Sequence, residues 1–372
     1  MFTKRNTSYL QSYQYKSQDG SFLTNYCPYW NYLKEYIPAS VSPNAITLLG
    51  FLVMAVHSVV VAVADPGYEG RVRILPAISG VALFFYSTMD ALDGVQARQR
   101  GTGSAYGQLF DHGVDSIVCT LVVNCVCSGV GLRSKKAVLL SLVACQTIFY
   151  WTSAQEYYKK VFVLGLIGPT EVILGCCVLL VLLSIFGQPT VIFFQRSHPH
   201  LLARIAVIGS LLVAGLGTAY YVTDIYWGTG FWLKREPDAL GMAKRLLPHV
   251  LFVGMHLAMI YSALNLRKVT AKGFWSFLGT CTLAFSLFTI MTIYSHQLQA
   301  PYIESPLILP ALVGLSTLAI CIAPTKVVNS TLLVLFIFAL LNYIYHTRAI
   351  TKESLDELNI PFFNNVPRKK GV

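Results

Sequence analysis

The 372-residue chain is 55% hydrophobic and only 12% charged, with a mean hydropathy of +0.57. Soluble globular domains carry roughly twice that charged fraction, so the composition excludes a soluble fold and points to an all-α, polytopic membrane protein. The formal net charge of +11 comes with no basic helix and no RNA-type aromatic motif, which argues against nucleic acid and for loops beside anionic lipid headgroups.

Residues 1–43 are polar and aromatic, without the early apolar stretch of a secretory leader. Tyr26, Tyr29, Trp30, Tyr32 and Tyr36 crowd around Lys34, a pattern of rings at headgroup level that predicts an amphipathic interfacial helix. Pro43 marks a helix start. About ten stretches then reach the roughly 20 apolar residues needed to cross a bilayer, approximately over 44–64, 73–94, 107–131, 136–156, 169–187, 205–224, 246–265, 274–294, 306–323 and 329–347. The sixth is the weakest, because its aromatic end drifts toward an interfacial loop. An even number places both termini on one side, and the Lys/Arg bias of the loops favours the cytosol. The resulting division is an interfacial segment (1–43), six helices (44–224), four further helices (225–347) and a cytosolic tail (348–372). The nine cysteines form no CxxC pair and read as small hydrophobes.

The informative stretch runs from Asp90 to Asp115, where four aspartates sit between apolar runs. Asp90 and Asp93 are spaced i,i+3, and Asp111 and Asp115 i,i+4, so each pair shares a helix face. If two antiparallel helices meet at a glycine-rich turn near Thr102, Asp93 and Asp111 each lie nine residues from it. Asp90 and Asp115 lie twelve and thirteen residues away, so the carboxylates come out at two matched depths. Each costs at least about 2.5 kcal/mol near the bilayer centre, and Arg98 supplies only one nearby positive charge. Two hard divalent cations would balance the set through oxygen ligands alone, and such ions commonly share their coordination with substrate phosphates. Gly94 would let a ligand approach the helix closely, Ser104 would cap the returning helix, and Gly107 would clear space above Asp111. Arg98 would hold phosphate oxygens in two-pronged fashion. An ion-coupled transporter is the alternative from another class.

The run Asp90-x-x-Asp93-Gly94-x-x-Ala97-Arg98, eight residues, then Gly107-x-x-x-Asp111-x-x-x-Asp115 resembles the complete signature of the CDP-alcohol phosphotransferases. The resemblance implies a membrane enzyme that transfers a phospho-alcohol from a CDP-alcohol to a hydroxyl acceptor and releases CMP. It further implies two Mg²⁺ or Mn²⁺ ions on Asp90, Asp93, Asp111 and Asp115. Three features resemble the eukaryotic choline/ethanolamine branch: Ser42-Pro43-Asn44-Ala45-Ile46-Thr47-Leu48, Gln155-Glu156-Tyr157 followed by Gly168-Pro169-Thr170-Glu171-Val172, and the four added spans. His112 also agrees with it. That branch implies CDP-choline or CDP-ethanolamine as donor, diacylglycerol as acceptor, and a homodimer. It also implies nucleotide contacts from Asn44, Thr47, Asp90, Gly94, Ala97, Arg98 and Gly107. Glu171 is the expected base, with His112 assisting and Asp115 as runner-up. The aromatic residues Phe85, Tyr86, Tyr150 and Trp151 read as packing or as a cage for a quaternary ammonium. Arg368-Lys369-Lys370-Gly371-Val372 resembles a dilysine retrieval signal of the endoplasmic reticulum; a plain basic tail near anionic lipid is the other reading. Within the family, the competing expectation is a CDP-diacylglycerol user with a soluble alcohol acceptor such as inositol.

Overall fold

A computed structural model describes residues 7–27, 29–166, 168–187, 197–198, 200–227, 239–300 and 308–365. The loops centred on 188–196 and 228–238 and the dilysine-like end lie outside the described residues. Among the described residues the regular structure is helical apart from one small ribbon, as the composition predicts. In chain order the long helices are α1 (Pro43–Ala64), α2 (Leu75–Arg100), α3 (Ala105–Gly129), α4 (Lys135–Lys159), α5 (Pro169–Leu182) and α6 (Leu201–Tyr226). They continue with α7 (Ala239–Ala263), α8 (Ala271–Gln297), α9 (Ile308–Ile322) and α10 (Thr325–Leu358). Among the described residues, nine of these are long and apolar enough to cross a membrane once α5 is extended by its π turn to Gly187, and α9 is a shorter apolar helix. The weak sixth stretch is a full helix.

Local chemistry sets the helix ends. Ser42, Ser104 and Ser134 each accept a hydrogen bond from the backbone N–H three residues on, capping α1, α3 and α4, and proline opens α1 and α5 where its missing N–H costs nothing. Two polar–apolar seams join the bundle. On one, α1, α2, α3 and α5 enclose Met54, Val61, Leu83, Val118 and Leu180. On the other, α8 is almost wholly buried among α3, α4, α9 and α10. Hydroxyl pairs bind α3 to α8, Ser116 to Ser286 at 2.7 Å and Thr120 to Thr282 at 2.8 Å. Such polar contacts between apolar helices replace the hydrophobic drive that lipid removes.

One expectation is corrected. The interfacial aromatic segment is not one helix: it is Phe22–Tyr26, Tyr29–Leu33 and a 3₁₀ turn Lys34–Tyr36. Cys27 is extended after the first piece. Trp30 is buried while Tyr26, Tyr32 and Tyr36 are exposed, so the segment is pinned at one ring and presents the others outward. The preceding residues are tied to the bundle, because β1 (Ser17–Asp19) pairs in parallel with β2 (Phe162–Leu164). The tail expected over 348–372 begins as the last turns of α10, which runs on to Leu358. At 1.5 Å per residue α10 is about 51 Å long, well beyond a 30 Å hydrocarbon core, and its last turns carry Lys352, Glu353, Asp356 and Glu357 past the membrane.

Candidate active site

The turn between α2 and α3 forms as the spacing predicts. Gly101 takes the left-handed conformation (φ 63°) that ends α2, and Thr102 N–H donates to the carbonyl of Ala97 at 3.1 Å. This closes the helix with a Schellman-type loop that favours glycine. Ala97 thus contributes its backbone to the turn. Ser104 Oγ accepts from Gly107 N–H at 3.0 Å and starts α3.

The turn brings the two aspartate faces together. Oxygens of Asp90, Asp111 and Asp115 all lie within 4.8 Å of one another. Asp93 is placed differently: it is buried and accepts the hydroxyl hydrogen of Thr47 from α1. The expected box is therefore three converging carboxylates with Asp93 held on the α1 side, and Thr47 is at the site as expected. Tyr86, one turn before Asp90, donates to Asp115. Asp111 Oδ1 is buried with no hydrogen-bond partner. Among the described residues, no lysine or arginine forms an ion pair with these carboxylates; the only such contact is His112 Nε2 at 4.0 Å from Asp111 Oδ2. A set of acceptor-only oxygens with an unpartnered buried lone pair and no neutralising cation suits a hard divalent ion.

Arg98 folds back over Gly94. A Cβ built on Gly94 would lie 3.2 Å from Arg98 Nη1, so the bare helix face is what accommodates the guanidinium. Arg98 is exposed at the mouth of the site. Across from it, a Cβ on Gly107 would meet Ser104 Oγ at 3.3 Å and Asn44 Oδ1 at 3.7 Å. Asn44 is thus at the mouth too, where its side chain donates to the carbonyl of Phe362 at 2.7 Å. Phe362 packs edge-on against Phe110 and Tyr106, with ring centroids 5.0 and 5.8 Å away. Asn365 donates to Ser40 O at 3.2 Å. The segment after α10 therefore lies across the mouth, a contact no local pattern announces.

His112 is buried between rings of the amino-terminal ribbon, 6.1 Å from Tyr15 edge-to-face and 5.2 Å from Phe162. Glu171 stands at the start of α5, where its carboxylate accepts from Ser21 Oγ (2.6 Å), Leu23 N–H (2.9 Å) and Gly168 N–H (2.7 Å). It closes its own helix start and clamps the helix Phe22–Tyr26 to the bundle.

One layer the sequence left unread surrounds Glu156. This buried carboxylate accepts from Gln108 Nε2 at 2.7 Å, and Gln108 Oε1 in turn accepts from Tyr13 (2.7 Å) and Gln297 Nε2 (3.1 Å). Burial, then the charge of Glu156, holds the Tyr13 hydroxyl above its ordinary range, so it stays a donor. Lys160 lies 3.4 Å from His296 Nδ1, and burial lowers its pKa against the opposing pull of Glu156. The network joins the amino-terminal segment, α3, α4 and α8 one turn from Asp111. The expected aromatic set divides. Tyr86 serves Asp115, whereas Tyr150 stacks on Phe252 at 3.7 Å and contacts His249, and Trp151 donates to Thr218. The latter pair are packing residues.

Residues 40–215 match the family model described as CDP-alcohol phosphatidyltransferase, a stretch that begins just before α1 and ends within α6. The chain carries a CDP-alcohol phosphatidyltransferase domain. The domain is similar to "Cholinephosphotransferase 1" of Saccharomyces cerevisiae, 33% identical over 186 residues (49% of this chain, 47% of the relative). It is 39% identical over 188 residues to an uncharacterised class-I family protein of Dictyostelium discoideum (48% and 46%). It is also 38% identical over 166 residues to a "CDP-diacylglycerol--serine O-phosphatidyltransferase" of Encephalitozoon cuniculi (43% and 42%). The chain spans about half the length of the curated relatives it matches.

Proposed function

We propose that this protein transfers phosphocholine or phosphoethanolamine from CDP-choline or CDP-ethanolamine to diacylglycerol, releasing CMP. The observation that carries the reading is the convergence of Asp90, Asp111 and Asp115 beneath Arg98, on a domain similar to cholinephosphotransferase. Asp90, Asp93, Asp111 and Asp115 would hold two Mg²⁺ or Mn²⁺ ions. Bound there, the ions would neutralise the diphosphate and the departing CMP. Arg98 grips phosphate oxygens with its planar fork. Gly94 and Gly107 leave space for the nucleotide, with the Asn44 amide and the Thr47 hydroxyl beside it. The acceptor hydroxyl attacks the β-phosphorus in line, its new P–O bond forming as the bond to CMP breaks, with no covalent enzyme intermediate.

We assign the proton of the attacking hydroxyl to His112, beside Asp111. Asp115, the other candidate, already accepts from Tyr86. Glu171 is given a positioning role, because three donors already occupy its carboxylate. Diacylglycerol would reach the site laterally from the bilayer. The protein would reside in the endoplasmic reticulum or Golgi membrane as a homodimer, with the site facing the cytosol.

The similarity to a serine phosphatidyltransferase supports a second reading, in which CDP-diacylglycerol is the donor and a small alcohol the acceptor. CMP release separates them. Activity with CDP-choline or CDP-ethanolamine plus diacylglycerol, lost in chelator and restored by Mg²⁺ or Mn²⁺, is the expected result. Activity only with CDP-diacylglycerol plus serine or inositol would establish the second reading. Turnover that survives chelation or Asp93→Ala would overturn the two-ion site.

A further inference from the structure

A cavity of about 450 Å³ opens on the face of the bundle opposite the aspartates, lined by Arg133, Lys135, Lys136 and Arg267 with Ala263, Leu264 and Leu266. Helix direction fixes its side. α3 runs from the catalytic turn to Gly129, so the cavity lies roughly 20 Å beyond Asp115 along that helix. It sits at the seam between the family domain and the added helices, where the α3–α4 loop meets the α7–α8 loop.

The cations there fall into two kinds. Lys135 donates to Val269 O across the seam, and the neighbouring Lys268 donates to Cys321 O and Ala323 O at 3.0 and 2.7 Å. These lysines hold loops together. Arg133, Lys136 and Arg267 are exposed, and among the described residues no ion pair ties them to a carboxylate. The acidic side chains of the adjoining α1–α2 loop are already engaged. Asp65 accepts from Glu69 N–H, Gly70 N–H and Ser128, and Glu69 pairs with Arg71. Arg133 also adopts a left-handed backbone (φ 53°), fixed by its N–H to Tyr68 O at 2.9 Å. A non-glycine residue in that region is uncommon, and here the turn fixes where the Arg133 side chain leaves the backbone.

We propose that this cavity binds the phosphate of an anionic phospholipid in the leaflet opposite the aspartate cluster. Three uncompensated cations would meet the headgroup phosphate, and the apolar floor, with Leu264 exposed toward lipid, would meet the start of its acyl chains. Basic pockets between membrane helices recognise lipid headgroups by this combination. A lipid seated there would bridge α4 and α7 and brace the added helices against the domain.

The test uses the full-length protein in neutral detergent, with thermal unfolding as readout. Dioctanoyl phosphatidic acid should raise the midpoint saturably, and dioctanoyl phosphatidylcholine should not. The double variant Lys136→Gln/Arg267→Gln should raise the half-saturating phosphatidic acid concentration at least tenfold, while Lys326→Gln, an exposed cation on the same face, should leave it unchanged. If the double variant proves unstable, Arg267→Gln alone should still raise it severalfold. Equal stabilisation by phosphatidylcholine, or an unshifted half-saturation in the pocket variants, would overturn the proposal. Inorganic phosphate matching phosphatidic acid at the same concentration would overturn the lipid assignment in favour of free phosphate.

Discussion

Replacing Gly94 by alanine separates folding from function at the site. Glycine inside α2 costs the helix about 0.8–1.0 kcal/mol relative to alanine. The new methyl would sit 3.2 Å from Arg98 Nη1, a tight contact with the flexible end of a long, exposed side chain. The guanidinium moves by a few tenths of an ångström at little cost, so Gly94→Ala should leave stability unchanged or raise it by up to about 1 kcal/mol. Function should move the other way. If Arg98 holds phosphate oxygens from that position, displacing it forfeits charge-assisted hydrogen bonds of about 1.5–3 kcal/mol. That is roughly a 10- to 150-fold loss in kcat/KM. CMP release measured beside thermal unfolding gives both numbers. In an Arg98→Ala background the share of the Gly94→Ala penalty that runs through Arg98 should disappear, leaving only what the methyl takes from the nucleotide's space. Wild-type kcat/KM in Gly94→Ala, or a loss matched by an equal loss of stability, would refute the placement of Arg98.

Tyr86→Phe removes the donor to Asp115 and should raise the half-saturating Mg²⁺ or Mn²⁺ concentration roughly 10- to 100-fold, with turnover recovering at saturating metal; an unchanged metal dependence would count against it. Glu171→Gln turns one of the two accepting oxygens into an NH2, so the side chain can no longer serve Ser21, Leu23 and Gly168 together, and it should cost about 1–3 kcal/mol of stability with kcat kept within about fivefold. His112→Gln should instead lose about 100-fold or more in kcat. Abolished turnover in a Glu171→Gln protein of normal stability would return the base to Glu171. Phe362→Ala keeps the carbonyl that Asn44 holds but removes the ring from Tyr106 and Phe110. Amide exchange over residues 359–365 should then speed at least tenfold, and protection equal to wild type would show that the ring does not anchor the segment.

The sequence by itself determined what repeats every few residues. Apolar runs of bilayer length define the helices, Pro43 marks the start of one and Ser104 caps another. Gly101 ends α2, and the i,i+3 and i,i+4 aspartates point to shared faces because 3.6 residues make a turn. Those rules act within a helix or across one tight turn, which is why the candidate metal ligands could be named without coordinates. Tertiary structure decided what depends on elements distant in the chain. Asp93 takes the Thr47 hydroxyl of α1 at the edge of the cluster that the other three carboxylates form. Glu171 meets Ser21 across 150 positions and so becomes a clamp, while Asn44 meets Phe362 across 318. Glu156 of α4 and His296 and Gln297 of α8 gather beside Gln108 of α3. Nothing periodic marks such partners, because each pairing is set by how whole helices pack and by where a buried polar group finds its hydrogen bond.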